Sequence, residues 1–191
     1  MAKRKHGFAE STSARARRVK QAKSKIAEEK ERAGRDDDDA REDVRESRPP
    51  RAIEQQLIDV ADQIDGSRIV LTSAAGAQAA VEVARQHPAA RVTCCFFDVF
   101  LADRARERWS DVPNLSVECV TDFPEEAVDV FVLTLPAGGQ SDFARDLLQQ
   151  VQQRLTPDGR LFVSTDNVKD HWVYEQLDGM FGKITNMPCE A

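Results

Sequence analysis

From residue 51 onward the sequence alternates short, unbroken apolar runs with stretches of helical periodicity, and this rhythm restricts the fold more than any other feature. Ile69-Val70-Leu71 and Val130-Phe131-Val132-Leu133 contain no polar residue. A strand with one wet face alternates apolar and polar side chains, whereas a continuous run suits a strand covered on both faces, as in a parallel sheet between helices. Strands are predicted over 68–72, 91–97, 115–120, 128–133 and 160–164. Helices are predicted over 77–86, 100–109, 141–155 and 169–180, preceded by a stripe of Ile53, Leu57, Val60, Ala61 and Ile64 that ends near Gly66. Thr156-Pro157-Asp158-Gly159 predicts the turn between the long helix and its strand. This alternation defines an α/β fold, a mostly parallel sheet with helices on both faces.

The length of 191 residues accommodates one such domain with an appendage. The formal charge of −6 averages two unlike pieces, because residues 1–50 carry 15 Lys/Arg against 11 Asp/Glu and residues 51–191 carry 12 against 22. Residues 1–50 therefore read as a charged tail and linker, basic then acidic, and residues 51–191 as the folded domain. In the tail, Lys3, Arg4, Lys5, Arg15, Arg17, Arg18, Lys20, Lys23 and Lys25 face Glu10 alone over the first 25 positions. Such a polycation attracts nucleic-acid phosphates in a sequence-independent, salt-sensitive way. Residues 14–33 have a helix-forming composition, but Val19 and Ile26 do not make an apolar face. The four aspartates 36–39 and Pro49-Pro50 complete a linker. The tail, disordered or helical, is either a solubilising segment or an RNA-contacting arm; with Phe8 its one aromatic residue, contact would be to phosphate rather than to stacked bases.

No apolar run approaches the roughly 20 residues of a membrane span, and the basic N-terminus does not lead into a signal-like apolar segment. The expectation is a cytoplasmic protein with no membrane partner. Cys94, Cys95, Cys119 and Cys189 form no C-x-x-C pair and read as buried free thiols. His6, His87 and His171 lack Cys or His neighbours at ligand spacing, so no metal site is expected.

The order of elements resembles the Rossmann-like class I S-adenosylmethionine-dependent methyltransferase fold over about residues 52–188. The most specific stretch runs from Leu147-Leu148 through Leu155-Thr156-Pro157-Asp158-Gly159-Arg160-Leu161-Phe162-Val163-Ser164, similar to the long helix, L-x-P-G-G turn and strand of those enzymes. Asn167, His171 and Leu177-Asp178-Gly179-Met180-Phe181-Gly182-Lys183 look like the ending of the ribosomal RNA small-subunit guanine-N2 methyltransferase family. Members of that family carry two methyltransferase-like halves, the first degenerate and the second catalytic, and this chain looks like the first. The resemblance implies a role in RNA methylation beside a catalytic methyltransferase domain on the same or another chain. It also implies S-adenosylmethionine as the family cofactor, not necessarily held by this chain. The alternative is a non-enzymatic, RNA- or ribosome-associated module that uses the basic tail.

The resemblance places cofactor contacts at Thr72, Gly76, Asp98, Thr134 and Pro136. Against the family pattern, the turn Thr72-Ser73-Ala74-Ala75-Gly76-Ala77-Gln78 keeps one glycine, has Thr72 in place of an acid, and adds methyl groups where the methionine moiety should pass. A crevice closed by these methyls is the expectation. Asp98 follows Gly76 by 22 residues, the place of a ribose-binding carboxylate, and also suits a helix cap. Thr134-Leu135-Pro136-Ala137 replaces the Asn-Pro-Pro-aromatic motif that orients a target amine, so no catalytic residue is named. Gly138-Gly139 reads as a loop. Glu125, Glu126 and Asp129 read as a solvated turn rather than a catalytic pair, and His171-Trp172-Val173-Tyr174 as helix residues packing on the sheet or stacking on a base. The family sheet closes with two further strands; residues 183–187 supply at most one, so a truncated or split form, or pairing with another chain, is expected.

Overall fold

The computed structural model describes residues 49–136, 138, 140–167 and 171–187. The elements are α1 (Ala52–Ile58), a 3-10 turn (Ala61–Gln63), β1 (Arg68–Thr72), α2 (Gln78–Gln86), β2 (Arg91–Phe96), α3 (Val99–Arg108), β3 (Leu115–Cys119), β4 (Val128–Thr134), α4 (Ser141–Arg154), β5 (Leu155–Ser164) and α5 (Trp172–Met180). The five strands form one sheet in the order β3-β2-β1-β4-β5, every pairing parallel.

The unbroken apolar runs work as expected. Ile69, Leu71, Val92, Cys94, Phe96, Val130 and Val132 point into a core shared with α1, α2 and α3. Val70, Cys95, Phe131 and Leu133 point to the opposite face, onto Leu147, Leu148 and Val151 of α4, with Val173 and Leu177 of α5 packed at its margin. Each fully buried Val, Leu, Ile or Phe stabilises the folded state by roughly 1.5–3 kcal/mol before entropy is counted, so a strand with both faces covered contributes at every position.

Three boundaries differ from the sequence reading. The first helical stripe stops at Ile58 and resumes as a 3-10 turn, because β-branched and aspartate residues from Ile58 to Asp62 support a regular helix weakly. The Thr156–Gly159 turn lies inside β5: Val128 pairs with Leu155 and Val130 with Arg160, so three extra β5 residues bulge out of the ladder. Residues 183–187 form no strand, which leaves β5 as the sheet edge among the described residues. Cys119, the last residue of edge strand β3, is exposed, which corrects its reading as a buried thiol. Cys94 and Cys95 are buried and free, and burial pushes both thiols up, Cys95 to about 12. No described helix is long and apolar enough to cross a membrane.

The two rims of the sheet are differently equipped. At the N-terminal rim, Asp129 accepts the amides of Ser67 and Arg68 at 3.1 and 2.9 Å, and Arg68 pairs with Glu126 at 2.9 Å. Gly66 is required here, since a β-carbon would stand 2.9 Å from Val130 Cγ2. Asp129 and Glu126 thus tie down the start of β1. The opposite rim is open.

Candidate functional site

The C-terminal ends of β1 and β4 meet where the sheet order reverses, the position at which open α/β sheets form a crevice. Beyond the last ladder pair, side chains continue the contact. The Thr134 amide donates to Thr72 Oγ1 at 2.9 Å, the two hydroxyl oxygens stand 3.2 Å apart, and Thr134 Oγ1 lies 3.4 Å from the Thr72 carbonyl. Both threonines are buried and satisfy each other.

The turn after β1 is built around Ser73. Its hydroxyl oxygen accepts the amides of Ala75 at 3.2 Å and Ala77 at 3.0 Å, and its proton goes to Glu54 on α1. Glu54 is 0% exposed, and its Oε2 has no hydrogen-bond partner. Burial pushes its carboxyl up from the ordinary range, opposed by Ser73, by the nearby Gln78 and Ala75 amides and by the Arg51 charge. Helix α1 also closes on the end of β5, where Ser164 Oγ donates to the Ile53 carbonyl at 2.7 Å and lies 2.6 Å from the Gln56 side-chain amide. From outside, Trp109 Nε1 donates to the Gly76 carbonyl at 2.7 Å.

A cavity of about 370 Å³ opens beside this turn, within the usual size range of small-molecule sites. Thr72, Ser73, Asp98, Thr134 and Pro136 line one side. Phe97, Phe143 and Trp172, from the end of β2, α4 and α5, line another, with the Phe97 and Phe143 rings edge-to-face at 4.9 Å. Among the described lining residues the one charged side chain is Asp98. Its Oδ1 caps α3 by accepting the amides of Phe100 at 2.8 Å and Leu101 at 3.2 Å.

Four of the five sequence-derived cofactor positions, Thr72, Asp98, Thr134 and Pro136, therefore line one cavity. Gly76 does not; its carbonyl is held by Trp109, and a β-carbon there would meet the Gln78 side chain at 3.1 Å. The left-handed residue of the turn is Ala77, at φ 61°, where glycine was expected to be needed. The expected closure by methyl groups is also corrected: Ala77 is buried, while Ala74 lines an open cavity. Trp172 and Val173 line the cavity, whereas His171 and Tyr174 are exposed rather than packed on the sheet. Asn167 lines it too. The basic positions from Lys3 to Lys25, and Ala137, Gly139 and Cys189, lie outside the described residues. Sequence reasoning missed Glu54, Phe97 and Phe143.

No protein-family model matches the chain, and no curated protein matches it in sequence. Solved structures do resemble it. A methyltransferase-like protein of Pseudomonas syringae is 19% identical with a TM-score of 0.54, over 68% of this chain and 86% of that one. The mitomycin 7-O-methyltransferase MmcR is 16% identical with a TM-score of 0.52, over 65% of this chain and 41% of that one. TrmN of Thermus thermophilus is 20% identical with a TM-score of 0.51, over 64% and 40%. This chain thus spans about two fifths of the length of the last two. The likeness establishes the fold, which is the Rossmann-like class I methyltransferase fold.

Proposed function

We propose that this chain is a methyltransferase-fold protein that serves as the supporting, non-catalytic half of an RNA-methylating system and keeps an adenosyl-binding cavity. The cavity at the β1–β4 rim, with Asp98 at the end of β2, carries the reading. Its volume, its aromatic side and a carboxylate with one oxygen outside the α3 cap suit a nucleoside. No methyl transfer is assigned to this chain. The Thr134-Leu135-Pro136 segment offers neither side-chain amide nor ring to orient a target nitrogen, and positioning is most of what such a site contributes. Ribosomal RNA, met through the basic positions 3–25, and a catalytic methyltransferase domain are the partners that fit this reading.

Calorimetric titration with adenosine, S-adenosylhomocysteine and S-adenosylmethionine tests the cavity. The expected result is binding that weakens in Asp98→Ala, together with no transfer of labelled methyl groups to small-subunit rRNA by this chain alone. Methyl transfer by the chain alone overturns the supporting role, and failure of all three compounds to bind overturns the adenosyl site. Deleting residues 1–35 is expected to weaken RNA retention and flatten its salt dependence.

A further inference from the structure

A sheet edge attracts other strands through its unpaired backbone groups, and folded proteins ordinarily blunt it with charge, proline, a bulge or a covering side chain. The two edges of this sheet are unequally blunted. In β3 the Asn114 carbonyl accepts the Val92 amide and the Val120 amide donates to the Phe96 carbonyl, so Leu115, Val117 and Cys119 face outward. Arg106 Nε covers that edge by donating to the Val117 carbonyl at 2.8 Å. In β5 the Ser164 carbonyl accepts the Leu135 amide at 2.9 Å. Arg160, Phe162 and Ser164 therefore face β4, while Leu161 and Val163 turn their N–H and C=O groups to the free side. Among the described residues no group bonds to them there. The bulge with Pro157 blunts only the first half of β5. In the second half, Leu161-Phe162-Val163 has the unbroken apolar character of the central strands, yet all three are half-buried where Val130, Phe131, Val132 and Leu133 are buried. Helix α5, which packs on the same face as Leu161 and Val163, has no buried residue.

We infer that this edge is a self-association surface, on which a second copy of the chain pairs its own β5 antiparallel about a two-fold axis at Phe162. The register follows from the backbone. Outward-facing residues must oppose outward-facing ones, which leaves axes at Leu161, Phe162 or Val163. An axis at Leu161 sets Val163 against Gly159 in the bulge, and one at Val163 sets Leu161 against Thr165, beyond the strand end. The axis at Phe162 keeps all pairing within 160–164. Leu161 of each copy then exchanges hydrogen bonds with Val163 of the other, and the two Phe162 rings meet as a directly opposed pair. Arg160 opposes Ser164, so no like charges face each other. The segment is thus complementary to itself, as an isologous dimer requires and an edge meant for an unrelated strand does not. Because the pairing is antiparallel, the C-terminal strand ends, and with them the two cavities, lie at opposite rims of the joined sheet.

Sedimentation velocity of the full chain over the micromolar range tests this. The expected species is a dimer in reversible exchange with monomer. A monomer throughout overturns the inference, whether the edge stays bare or another segment of the chain covers it. Val163→Pro removes an outward amide but no bond to β4, and with it half of the interface hydrogen bonds. It is expected to weaken the dimer about 10-fold or more, with the fold retained by circular dichroism. A dimer of undiminished strength in that variant overturns the assignment to β5. The register, and the surface itself should Val163→Pro fail to fold, are read by oxidising Phe162→Cys in a Cys119→Ser, Cys189→Ser background. Opposed α-carbons of a non-hydrogen-bonded pair stand about 4.5 Å apart, within disulfide reach, so a cross-linked dimer is expected at this position. Arg160→Cys sets its two copies roughly 13 Å apart along the strands and is expected to stay uncross-linked. Equal cross-linking of the two variants, whether full or absent, or preferential cross-linking at position 160, overturns the axis at Phe162.

Discussion

The two sides of the cavity are built on opposite plans. On the turn side, Ser73, Glu54, Thr72 and Thr134 form hydrogen bonds mainly to one another and to the turn's own backbone. On the aromatic side, Phe97 and Phe143 line the cavity and keep 37% and 41% of their surface exposed. Buried polar groups that satisfy each other hold a shape, whereas apolar surface left in contact with water has affinity still to gain. The difference teaches that substitutions on the turn side should register in stability, and substitutions on the aromatic side in binding.

The largest effect is expected from Ser73→Ala. It removes the acceptor of two amides and leaves the buried Glu54 carboxyl without its hydroxyl partner. Leaving such groups unsatisfied costs about 2–3 kcal/mol, on the order of 10 °C in a thermal melt of a domain this size. An unchanged melting temperature would mean that Ser73 does not organise the turn, and the contrast between the sides would collapse. Phe143→Ala should do the reverse. Half-exposed, its ring contributes about 1 kcal/mol to stability, but its loss opens the aromatic side and should weaken nucleoside binding about 10-fold by calorimetry. Weakened binding caused only by a lower melting temperature would place Phe143 in the core instead.

The sequence made one side of this contrast readable and concealed the other. Continuous apolar runs such as Val130-Phe131-Val132-Leu133 announced strands covered on both faces, and both faces proved to be covered. Thr72, Asp98, Thr134 and Pro136 were reached through the resemblance to the methyltransferase family, and they share a cavity because a crevice forms at the strand ends of such a sheet whichever side chains occupy them. Phe97, Phe143 and Trp172 come from separate elements and share a cavity only through sheet topology, so no local spacing joins them. Glu54 did leave a signal. It stands three and seven residues before Leu57 and Ala61, on the buried side of the first stripe, yet a glutamate beside Arg51 looks like a solvated residue. The basic positions from Lys3 to Lys25, proposed to meet RNA, belong to a segment whose charge, not its fold, carries that reading.

A smaller effect follows from the raised pKa of Glu54. A carboxyl that holds its proton more tightly folded than unfolded makes the native state bind more protons between the two pKa values. Stability from this group is therefore fully present below the ordinary carboxylate pKa and falls as pH rises through the raised one. The groups facing it are the Arg51 guanidinium, which favours ionisation, and the Cys94 thiol, itself pushed up by burial. Glu54→Gln should remove that slope, so the melting temperatures of wild type and variant, followed from acid to neutral pH, should diverge in the variant's favour and then run parallel. Curves parallel throughout would mean that Glu54 titrates like an exposed acid and that the turn side is wetter than its hydrogen bonds indicate.

The smallest effect is expected at Ala77, where one term is opposed by two others of similar total size. Its φ of 61° places a β-carbon in the left-handed region, at a cost of roughly 1–2 kcal/mol that glycine does not carry. Its methyl group is fully buried against the core of α2, and losing one buried methyl costs about 0.8 kcal/mol. Glycine also adds unfolded-state freedom worth about 0.4–1 kcal/mol. Ala77→Gly should therefore leave the melt within about 1 kcal/mol of wild type in either direction. A clear gain would show that the strained backbone, rather than the buried methyl, dominates at this position. In that case the turn would relax without the alanine, and the Ser73 hydrogen bonds to the Ala75 and residue-77 amides would be what hold it in its present shape.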